Sequence, residues 1–389
     1  MFDKHKIYTF SFGWLLSLGL WIGLALFLRH IPILWDYVER NDYFLYDWIF
    51  EPEGSIYKDL VIVDSEDYSA RMDRQRYAGF IETLRKAGAS IIGVDLRFFG
   101  ETRPQADRKL IESTSLADST RVIHAFALLN RPAGSLAADP LLSRFALKLQ
   151  VMPRPRDCIS ANSAELPFTG LLKASRFLGN ITLPADSDQK FRRLPLVMAY
   201  QNEIYPSMAL EIVRRYFNVS DQDFEIHFGH HNCENPLLDT SILLKNTPLG
   251  TLKIPVDHFG QLLINYADEK IFQRYSMAKT LALLQKARDA KRFAGKIILL
   301  VNSNADNERT SLTPLDTSYP MWGIHASVVS QMLANKTIEE SGFASVLWSE
   351  CLLALLLGWV VFGESRQPPA KRKPVVVLAL GLLAYFAIA

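Results

Sequence analysis

Three apolar stretches frame one long polar block, and this pattern constrains the fold more than any other feature of the chain. The first stretch runs from Thr9 to Leu28 without a charged residue, and two more follow at 344–362 and 375–389. A helix rises about 1.5 Å per residue, so a stretch of this length crosses the roughly 30 Å hydrocarbon core of a bilayer. The sequence therefore predicts a membrane-anchored protein with a folded domain between its spans.

Short basic segments predict the orientation of the chain, because lysine and arginine resist translocation across a membrane. Lys4 and Lys6 precede the first span, and Arg366, Lys371 and Arg372 lie between the second and the third. Both segments are therefore expected on the cytoplasmic side of a bacterial inner membrane. The predicted layout is a cytoplasmic N-terminus at 1–8, a span at 9–28, an extracytoplasmic, periplasmic domain at 29–343, a span at 344–362, a cytoplasmic basic loop at 363–373 and the start of a further span at 374–389.

The last apolar run is short for a complete crossing. It offers about 16 residues, which form only about 24 Å of helix. We therefore expect a cytoplasmic effector either beyond Ala389 or in a separate partner. Glu350 lies about two turns into the second predicted span, where it is either a polar helix contact that carries a signal or a side chain that reaches the headgroup level.

The composition fits a folded domain with a few spans and excludes some classes of function. Hydrophobic residues make up 49% of the chain and charged residues 22%, and the formal net charge is +2. Charges of both signs are mixed along the sequence, so nothing indicates a nucleic-acid partner. The sequence has none of the signatures of Walker loops, zinc proteases or serine hydrolases, so we expect neither an enzyme nor a cofactor.

Cysteine and histidine residues leave two alternatives open in the polar block. Cys158 and Cys233 are predicted to lie in an oxidising compartment, where they can form a disulfide. The stretch from His227 to Cys233 could instead bind zinc, because imidazole and thiolate are zinc ligands. Glycine, asparagine and proline surround this stretch, which favours a polar surface loop without a metal.

Two compact apolar runs with a helix between them predict a parallel α/β sheet. LVIVD ends on Asp64 and IIGVD ends on Asp95, and both runs are rich in β-branched residues and too short for helices. The intervening segment 76–88 carries apolar residues at helical spacing and ends on glycine. Strand, helix and strand with short connections form a parallel βαβ unit.

Later segments extend the predicted sheet. Strands are predicted at 121–128 and 296–302, and helices at 205–217 and 323–336. Between 176 and 200, turn residues at 186–188 separate two apolar runs, which predicts an antiparallel hairpin. The predicted fold class is therefore α/β, a mostly parallel sheet with an inserted antiparallel hairpin, plus transmembrane helices.

The carboxyl ends of the predicted strands offer a ligand site. In open parallel sheets, ligands bind outside these ends, and Asp64, Asp95 and Asn302 each lie at one of them. Together with nearby arginines they can bind a polar small molecule, or the two carboxylates can hold a divalent cation. Such carboxylates equally cap helices or pair with arginine, and this structural interpretation stays open. The arginines close in sequence are Arg74, Arg76 and Arg97.

The polar block resembles the type-two CHASE sensory domain, an extracytoplasmic module associated with cyclases and histidine kinases. The matching segments are LVIVDSEDYS, RYAGFIETLRKAGASIIGVDLRF, ADSDQKFRRLPL with YPSMAL, GKIILLV, LTPL and WGIHASVVSQML, which occur in family order over roughly residues 35–340. Within them, Asp64, Asp95, Arg192 and His325 occupy matching positions, for which a structural and a functional role are both open.

The resemblance implies that the chain perceives an envelope signal and passes it through its spans to a cytoplasmic cyclase or kinase. Because few helices would carry this signal, we expect a homodimer. Two segments depart from the family pattern: RMDRQR replaces a tryptophan–proline stretch, and VNSNADNERTSLTP replaces one of glycine and small residues. Two alternatives remain, an envelope scaffold that binds another protein and a metal-dependent hydrolase that uses Asp64 and Asp95.

Overall fold

The computed structural model describes residue 47 and residues 56–66, 73–116, 120–131, 140–149, 158–227, 240–257, 259–303 and 310–339. The chain divides into two compact units, one made of 1–51 with 341–389 and the other of 52–340. The predicted spans, the basic loop and Glu350 lie outside the described residues, so these predictions stay predictions. No helix in the described ranges combines the length and apolar character that a membrane crossing requires.

Helices and strands alternate along the described chain. The helices are α1 (Arg74–Lys86), α2 (Pro104–Ser115), α3 (Thr169–Ala174), α4 (Met208–Tyr216), α5 (Met277–Leu284), α6 (Ala287–Ala290) and α7 (Met321–Leu333). The strands are β1 (Leu60–Asp64), β2 (Ile91–Val94), β3 (Arg121–Leu129), β4 (Ile159–Ala161), β5 (Ser163–Glu165), β6 (Phe177–Asn180), β7 (Arg193–Pro195), β8 (Val197–Tyr200), β9 (Glu203–Pro206), β10 (Phe224–His227), β11 (Ser241–Thr247), β12 (Gly250–Pro255), β13 (Gln261–Leu263), β14 (Arg274–Ser276), β15 (Ile297–Val301), β16 (Thr310–Ser311) and β17 (Tyr319–Pro320).

A parallel sheet forms the centre of the fold. Its strands follow the order β14, β1, β15, β2 and β3, and β6 pairs with β3. All these neighbours are parallel, while β5 pairs antiparallel with the far end of β3. The prediction of a mostly parallel sheet is confirmed. The strands at LVIVD and IIGVD are parallel as predicted, although β15 lies between them.

The first helix confirms the predicted segment 76–88, although it begins two residues earlier, at Arg74. The Asp73 side chain caps α1 by accepting a hydrogen bond from the Gln75 amide at 3.2 Å. After the helix, Gly88 has a φ of +81° and its amide donates to the Arg85 carbonyl at 2.9 Å. Glycine adopts this left-handed conformation without a steric penalty, so the chain can turn directly into β2.

The predicted hairpin between 176 and 200 is wrong in its pairing. The turn exists, since the Asp186 amide donates to the Lys190 carbonyl at 2.8 Å. However, β6 pairs with β3, β7 pairs antiparallel with β13, and β8 pairs with β4 and β9. The turn residues therefore predict the turn correctly. The strands on either side of it pair according to tertiary contacts, which the local sequence does not determine. Antiparallel hairpins do occur in β8–β9 and β11–β12.

A fully buried arginine holds the 186–188 turn. Arg192 is 1% exposed, and it donates to the Asp186 carboxylate at 3.0 Å and to both carboxylate oxygens of Asp188 at 2.9 and 2.7 Å. Its hydrogen bonds to Asp188 and the charge of its guanidinium lower the pKa of Asp188. The family-matching Arg192 therefore has a structural role, because a buried guanidinium requires such partners.

Apolar side chains cover both faces of the sheet. On one face, alternate residues of three strands pack with α1, namely Val61, Val63, Ile92, Val94, Ile298, Leu300, Tyr77, Phe80, Ile81 and Leu84. On the other face, Ile212 of α4 approaches so closely that a Cβ on Gly93 would lie 2.9 Å from its Cδ1. Every residue of α7 from Trp322 to Leu333 is buried. A helix enclosed on all sides belongs to the core rather than to the surface.

Candidate functional site at the carboxyl edge of the sheet

The predicted site residues at the strand ends lie at one edge of the sheet, which we name the carboxyl edge. Asp64 pairs in register with Val301, and Leu300 pairs with Val94, so Asp64, Asn302 and Asp95 follow one another across neighbouring strands. Because β15 separates β1 from β2, the backbones that carry the two aspartates are about 10 Å apart. The fold thus places the residues on one edge without joining the carboxylates in one cluster.

Asp64 is the centre of a buried hydrogen-bond cluster. The residue is 1% exposed. One carboxylate oxygen accepts from the Glu66 amide at 3.0 Å and the Ser303 amide at 3.2 Å. The other accepts from the Ser303 hydroxyl at 2.6 Å and from the Arg274 guanidinium, with which it also forms an ion pair. Both oxygens of Asp64 are therefore engaged within the protein.

These contacts keep the Asp64 carboxylate ionised. Burial alone would raise its pKa, because desolvation penalises the charged form. The hydrogen bonds from Ser303, Arg274 and the Glu66 backbone outweigh burial, and the net effect is a pKa below the ordinary value for aspartate. Asp64 is thus a permanent anion at neutral pH, and it fixes the loops that follow β1 and β15.

Arg274 links this cluster to the helix α7. The residue begins β14, the edge strand beside β1, and its guanidinium lies over the Trp322 ring at 5.2 Å from the centroid. Trp322 also contacts Phe272 edge-on, with ring centroids 6.1 Å apart. Because a guanidinium is attracted to the face of an aromatic ring, the first turn of α7 is attached to the same cluster that holds Asp64.

His325 of α7 lies near enough to Asp95 at this edge to feel its charge. His325 is 2% exposed, and its Nδ1 has no hydrogen-bond partner among the described residues. Burial lowers the pKa of His325, while the charge of Asp95 and a hydrogen bond to the Ile181 backbone oppose this shift. The half-buried Asp95 thus places a negative charge near the start of α7, where the buried His325 imidazole is neutral.

A second buried histidine lies on the opposite face of the sheet. His124 of β3 is fully buried, and its Nε2 is 2.9 Å from the Thr114 hydroxyl. That hydroxyl donates to the Leu110 carbonyl at 2.9 Å, so it accepts from His124 Nε2 and leaves Nδ1 without a proton. Burial lowers the pKa of His124 to about 3. The imidazole is therefore neutral at physiological pH.

The three predicted arginines have separate partners. Arg74 is buried and donates to the Asp107 carboxylate at 2.6 Å and to the carbonyls of Phe99 and Gly100 at 2.9 and 2.6 Å. Arg76 is exposed and lies 3.4 Å from the Ser65 carbonyl. Arg97 forms an ion pair with Glu165 at 3.7 Å. The structure therefore does not bring these arginines together around one ligand position.

The predictions about metal and disulfide chemistry are only partly covered by the described residues. No group of three or more metal-ligating side chains occurs among the described residues. Of the stretch from His227 to Cys233, only His227 is described, and it contacts Glu225 at 3.2 Å. Cys158 is buried, but Cys233 lies outside the described residues. The disulfide between them stays a prediction.

Sequence reasoning missed Arg274, Ser303 and Trp322. Ser303 lies in the segment that departs from the family pattern, and Arg274 begins a strand of only three residues. Neither residue lies in an apolar pattern from which its place in the fold could have been predicted. Trp322 lay within the predicted family match, but only the fold shows that it supports Arg274.

An open cavity of about 600 Å³ lies beside the strands β4 and β13. Its lining combines apolar and polar side chains, namely Cys158, Ile159, Ser160, Pro184, Ala185, Asp186, Phe259 and Gln261. Cavities of this size accommodate small molecules. The lining segment 184–186 begins three residues after Ile181, whose backbone bonds His325. The lining residues 184–186 and Ile181 thus belong to one continuous segment, 181–186.

Residues 19–364 match the family described as the CHASE2 domain. The chain belongs to the CHASE2 family. CHASE2 domains are extracellular sensory domains without catalytic activity, which agrees with the sequence prediction of a sensor. No curated protein and no solved structure matches this CHASE2 chain.

Proposed function

We propose that this CHASE2 chain is the sensing part of a membrane-anchored receptor. Its domain lies outside the bacterial inner membrane, perceives an envelope signal and passes it through the flanking spans to a cytoplasmic cyclase or kinase. That effector lies beyond residue 389 or in a partner. The single observation that carries the proposal is the CHASE2 match over residues 19–364, because the family is sensory.

The cavity beside segment 181–186 is the proposed place of perception. Its apolar lining with a few polar groups is typical of small-molecule sites. Asp186 lines the cavity while its carboxylate also binds the buried Arg192 at 3.0 Å, and burial raises the pKa of Asp186. A ligand with a hydrogen-bond donor would therefore compete for a carboxylate that already holds the turn in place.

The helix α7 is the proposed route of transmission. Near its start, Trp322 contacts Arg274 and His325 is close to Asp95. Near its end, the Ser330 hydroxyl accepts a hydrogen bond from the Tyr57 amide at 3.3 Å. The helix therefore reaches from the carboxyl edge to the two ends of the described domain. A shift of segment 181–186 would move α7 as a unit, since packed helices shift rather than deform.

A thermal-unfolding experiment on the full chain in detergent tests ligand perception. The probe is the dialysable fraction of a bacterial envelope extract, because a ligand that binds the folded state raises the melting temperature. We expect this fraction to stabilise the wild type and the control Leu249→Trp, which alters a remote exposed side chain. Ala185→Trp, which fills the cavity mouth, should abolish the shift.

Two outcomes would count against this function. If the dialysable fraction leaves the melting temperature of every variant unchanged, the chain does not perceive a small molecule and the envelope-scaffold alternative gains. If Ala185→Trp responds like the wild type, perception occurs elsewhere than in the cavity. The carboxyl-edge residues Asp64, Asp95, Arg76, Arg97 and Asn302 then become the next positions to substitute.

Two further parts of the proposal, the position of the effector and the homodimer, are tested by separate measurements. The intact mass of the protein purified from its native membrane should exceed 44.1 kDa if a cytoplasmic effector follows in the same chain. A mass of 44.1 kDa would place the effector in a partner. We also propose a homodimer, which cross-linking in the native membrane should capture; a monomer by mass in detergent would contradict it.

A further inference from the structure

The two ends of the described domain lie at the edge of the sheet where the parallel strands begin, which we name the amino edge. The Ile297 amide donates to the Asp59 carbonyl at 2.8 Å, so β1 and β15 start side by side. The Tyr57 amide bonds Ser330 in the last turn of α7, and the Asn265 side chain bonds the Lys336 carbonyl at 3.2 Å. The chain therefore enters and leaves the domain at the amino edge.

Positive charge collects at this edge from separate parts of the sequence. The loop 285–296, which precedes β15, contains four exposed basic residues and one acidic residue, Asp289. Exposed Lys58 and Lys336 lie at the entry and exit of the domain. The four basic loop residues are Lys286, Arg288, Lys291 and Arg292. The fold thus concentrates charges that look evenly mixed along the chain.

Two arginines lie over the Phe177 ring at the same edge, and a third, Arg121, is near both of them. Arg176 and Arg215 lie over the Phe177 ring at 5.3 and 4.3 Å from its centroid. Arg121 starts the neighbouring strand β3, and it donates to the neutral side-chain amide of Asn218. In the described part of the chain, neither Arg121 nor Arg176 forms an ion pair with a carboxylate. Burial and the positive charges of Arg215 and Arg176 lower the pKa of Arg121.

Three acidic groups near this edge have cationic partners, whereas Glu339 at the exit of the domain is exposed. Glu211 accepts from Arg215 at 2.6 Å and from Arg214 at 3.1 Å. Asp221 pairs with Arg214 at 2.7 Å, and Asp59 pairs with Lys296 at 2.5 Å. Arg121 and Arg176 therefore carry positive charge that no carboxylate of the described residues neutralises. Crowded guanidinium groups repel one another, and an external anion would relieve this repulsion.

We propose that the amino edge is a docking surface for anionic phospholipid headgroups. The proposal rests on the proposed function, since a membrane-anchored domain has a bilayer next to the edge at which its chain enters and leaves. Guanidinium groups form paired hydrogen bonds with phosphate, and exposed basic side chains are attracted to anionic lipid surfaces. Lipid contact at this edge would set the orientation of the domain and of the cavity on the membrane.

Hydrogen exchange of the full chain in lipid nanodiscs tests the proposal. One set of discs contains phosphatidylcholine alone, and the other contains phosphatidylcholine with phosphatidylglycerol. We expect the amides of loop 285–296 to exchange more slowly in the anionic discs, and the difference to disappear at high salt because of screening. Amides of segment 268–273, next to the carboxyl edge, should exchange equally in both kinds of disc.

Two charge-matched variants sharpen the test. Arg121→Gln/Arg176→Gln removes two charges from the amino edge, and Arg76→Gln/Arg103→Gln removes two exposed charges elsewhere. Each charge lost from the docking surface should weaken lipid attraction roughly fivefold. We therefore expect the anionic-disc protection to vanish only in the first variant. A melting curve in phosphatidylcholine discs confirms that both variants remain folded.

The outcomes separate this inference from the proposed function. A chain that enters both kinds of disc and shows the same exchange in each overturns the lipid surface and leaves the sensor proposal standing. Equal loss of protection in both variants also overturns it, because the attraction would then be non-specific. If sodium phosphate protects loop 285–296 as well as anionic discs do, the edge binds a soluble anion instead. Failure to enter either disc contradicts the membrane anchor itself.

Discussion

The two edges of the central sheet differ in the burial and pairing of their charged side chains. At the carboxyl edge, Asp64 and Arg74 are almost completely buried, and each has several partners of matching chemistry. At the amino edge, Arg176 and Lys291 remain exposed, and positive charge exceeds negative charge. Buried ions require partners, whereas exposed ions keep their hydration and can meet an external surface. The carboxyl edge is thus fixed by its internal partners, whereas the amino edge is free to meet the anionic surface that we propose for it.

The largest effect should follow from breaking the Arg74 cluster at the carboxyl edge. Arg74→Met leaves the buried Asp107 carboxylate without its cation and two carbonyls without a donor. We expect the free energy of unfolding to fall by about 3–5 kcal/mol, as for other broken buried ion pairs. Chemical denaturation measures this loss. Arg76→Met on the exposed side of the same helix is the control, and an equal loss there would contradict the comparison.

A smaller effect is expected at Asp64. Asp64→Asn keeps the shape of the side chain but removes the charge that binds Arg274 and the acceptor for one Ser303 contact. We expect a loss of about 2 kcal/mol in the free energy of unfolding. Because the pKa of Asp64 is lowered in the fold, its stabilisation is present above pH 4 and is lost as the pH falls through the folded pKa. The variant should therefore lose the wild type's steep destabilisation below about pH 4.

The buried histidines should make the domain sensitive to mild acid. The unfolded chain binds a proton at His124 near pH 6.5, whereas the folded chain does so only near pH 3. Stability is therefore complete above pH 6.5 and falls as the pH decreases through this window, by about 2 kcal/mol at pH 5. His325 contributes in the same direction, because burial lowers its pKa as well.

Substituting His124 isolates its contribution to the loss of stability in mild acid. His124→Gln should flatten the fall in melting temperature between pH 7 and 5 relative to the wild type, since glutamine does not titrate. It can still bond the Thr114 hydroxyl. An unchanged pH slope in this variant would show that His124 is protonated in the folded domain. The experiment uses the full chain in detergent at constant ionic strength.

The smallest effect should appear at the amino edge. Arg121→Gln removes one of three close positive charges and retains a group that can bond Asn218. We expect a stability change within about 0.5 kcal/mol, and a slight gain at low salt because repulsion is relieved. Denaturation at low and high salt measures it. A loss of more than about 2 kcal/mol would show that this edge depends on its charges for folding, as the carboxyl edge does.

The sequence predicts the parallel core because its signals are local. LVIVD and IIGVD are short, apolar and β-branched, and the helix between them has apolar residues at helical spacing and a terminal glycine. These features are recognisable without knowledge of the neighbours. The order of the strands was not predictable in the same way. In the sheet, β15 lies between β1 and β2, but in the sequence it is more than two hundred residues away from both.

The short antiparallel strands show which pairings a single sequence does and does not predict. The β8–β9 hairpin turns at Gln201 and Asn202, which both have positive φ values of +49° and +66°. An asparagine between two apolar runs is a hairpin signal that could have been recognised. The pairing of β7 with β13 could not have been predicted, because it joins two three-residue strands that are far apart in the chain. The Asp64–Arg274 contact was hidden for the same reason.

The nearness of Tyr57 to Ser330 has a consequence for how such a domain can be handled. A domain whose entry and exit points are neighbours can be inserted into a surface loop of an unrelated protein without stretching the host. The segment between these points is therefore suited to transplantation as a cassette. An engineer could therefore graft it onto a soluble carrier protein in one step.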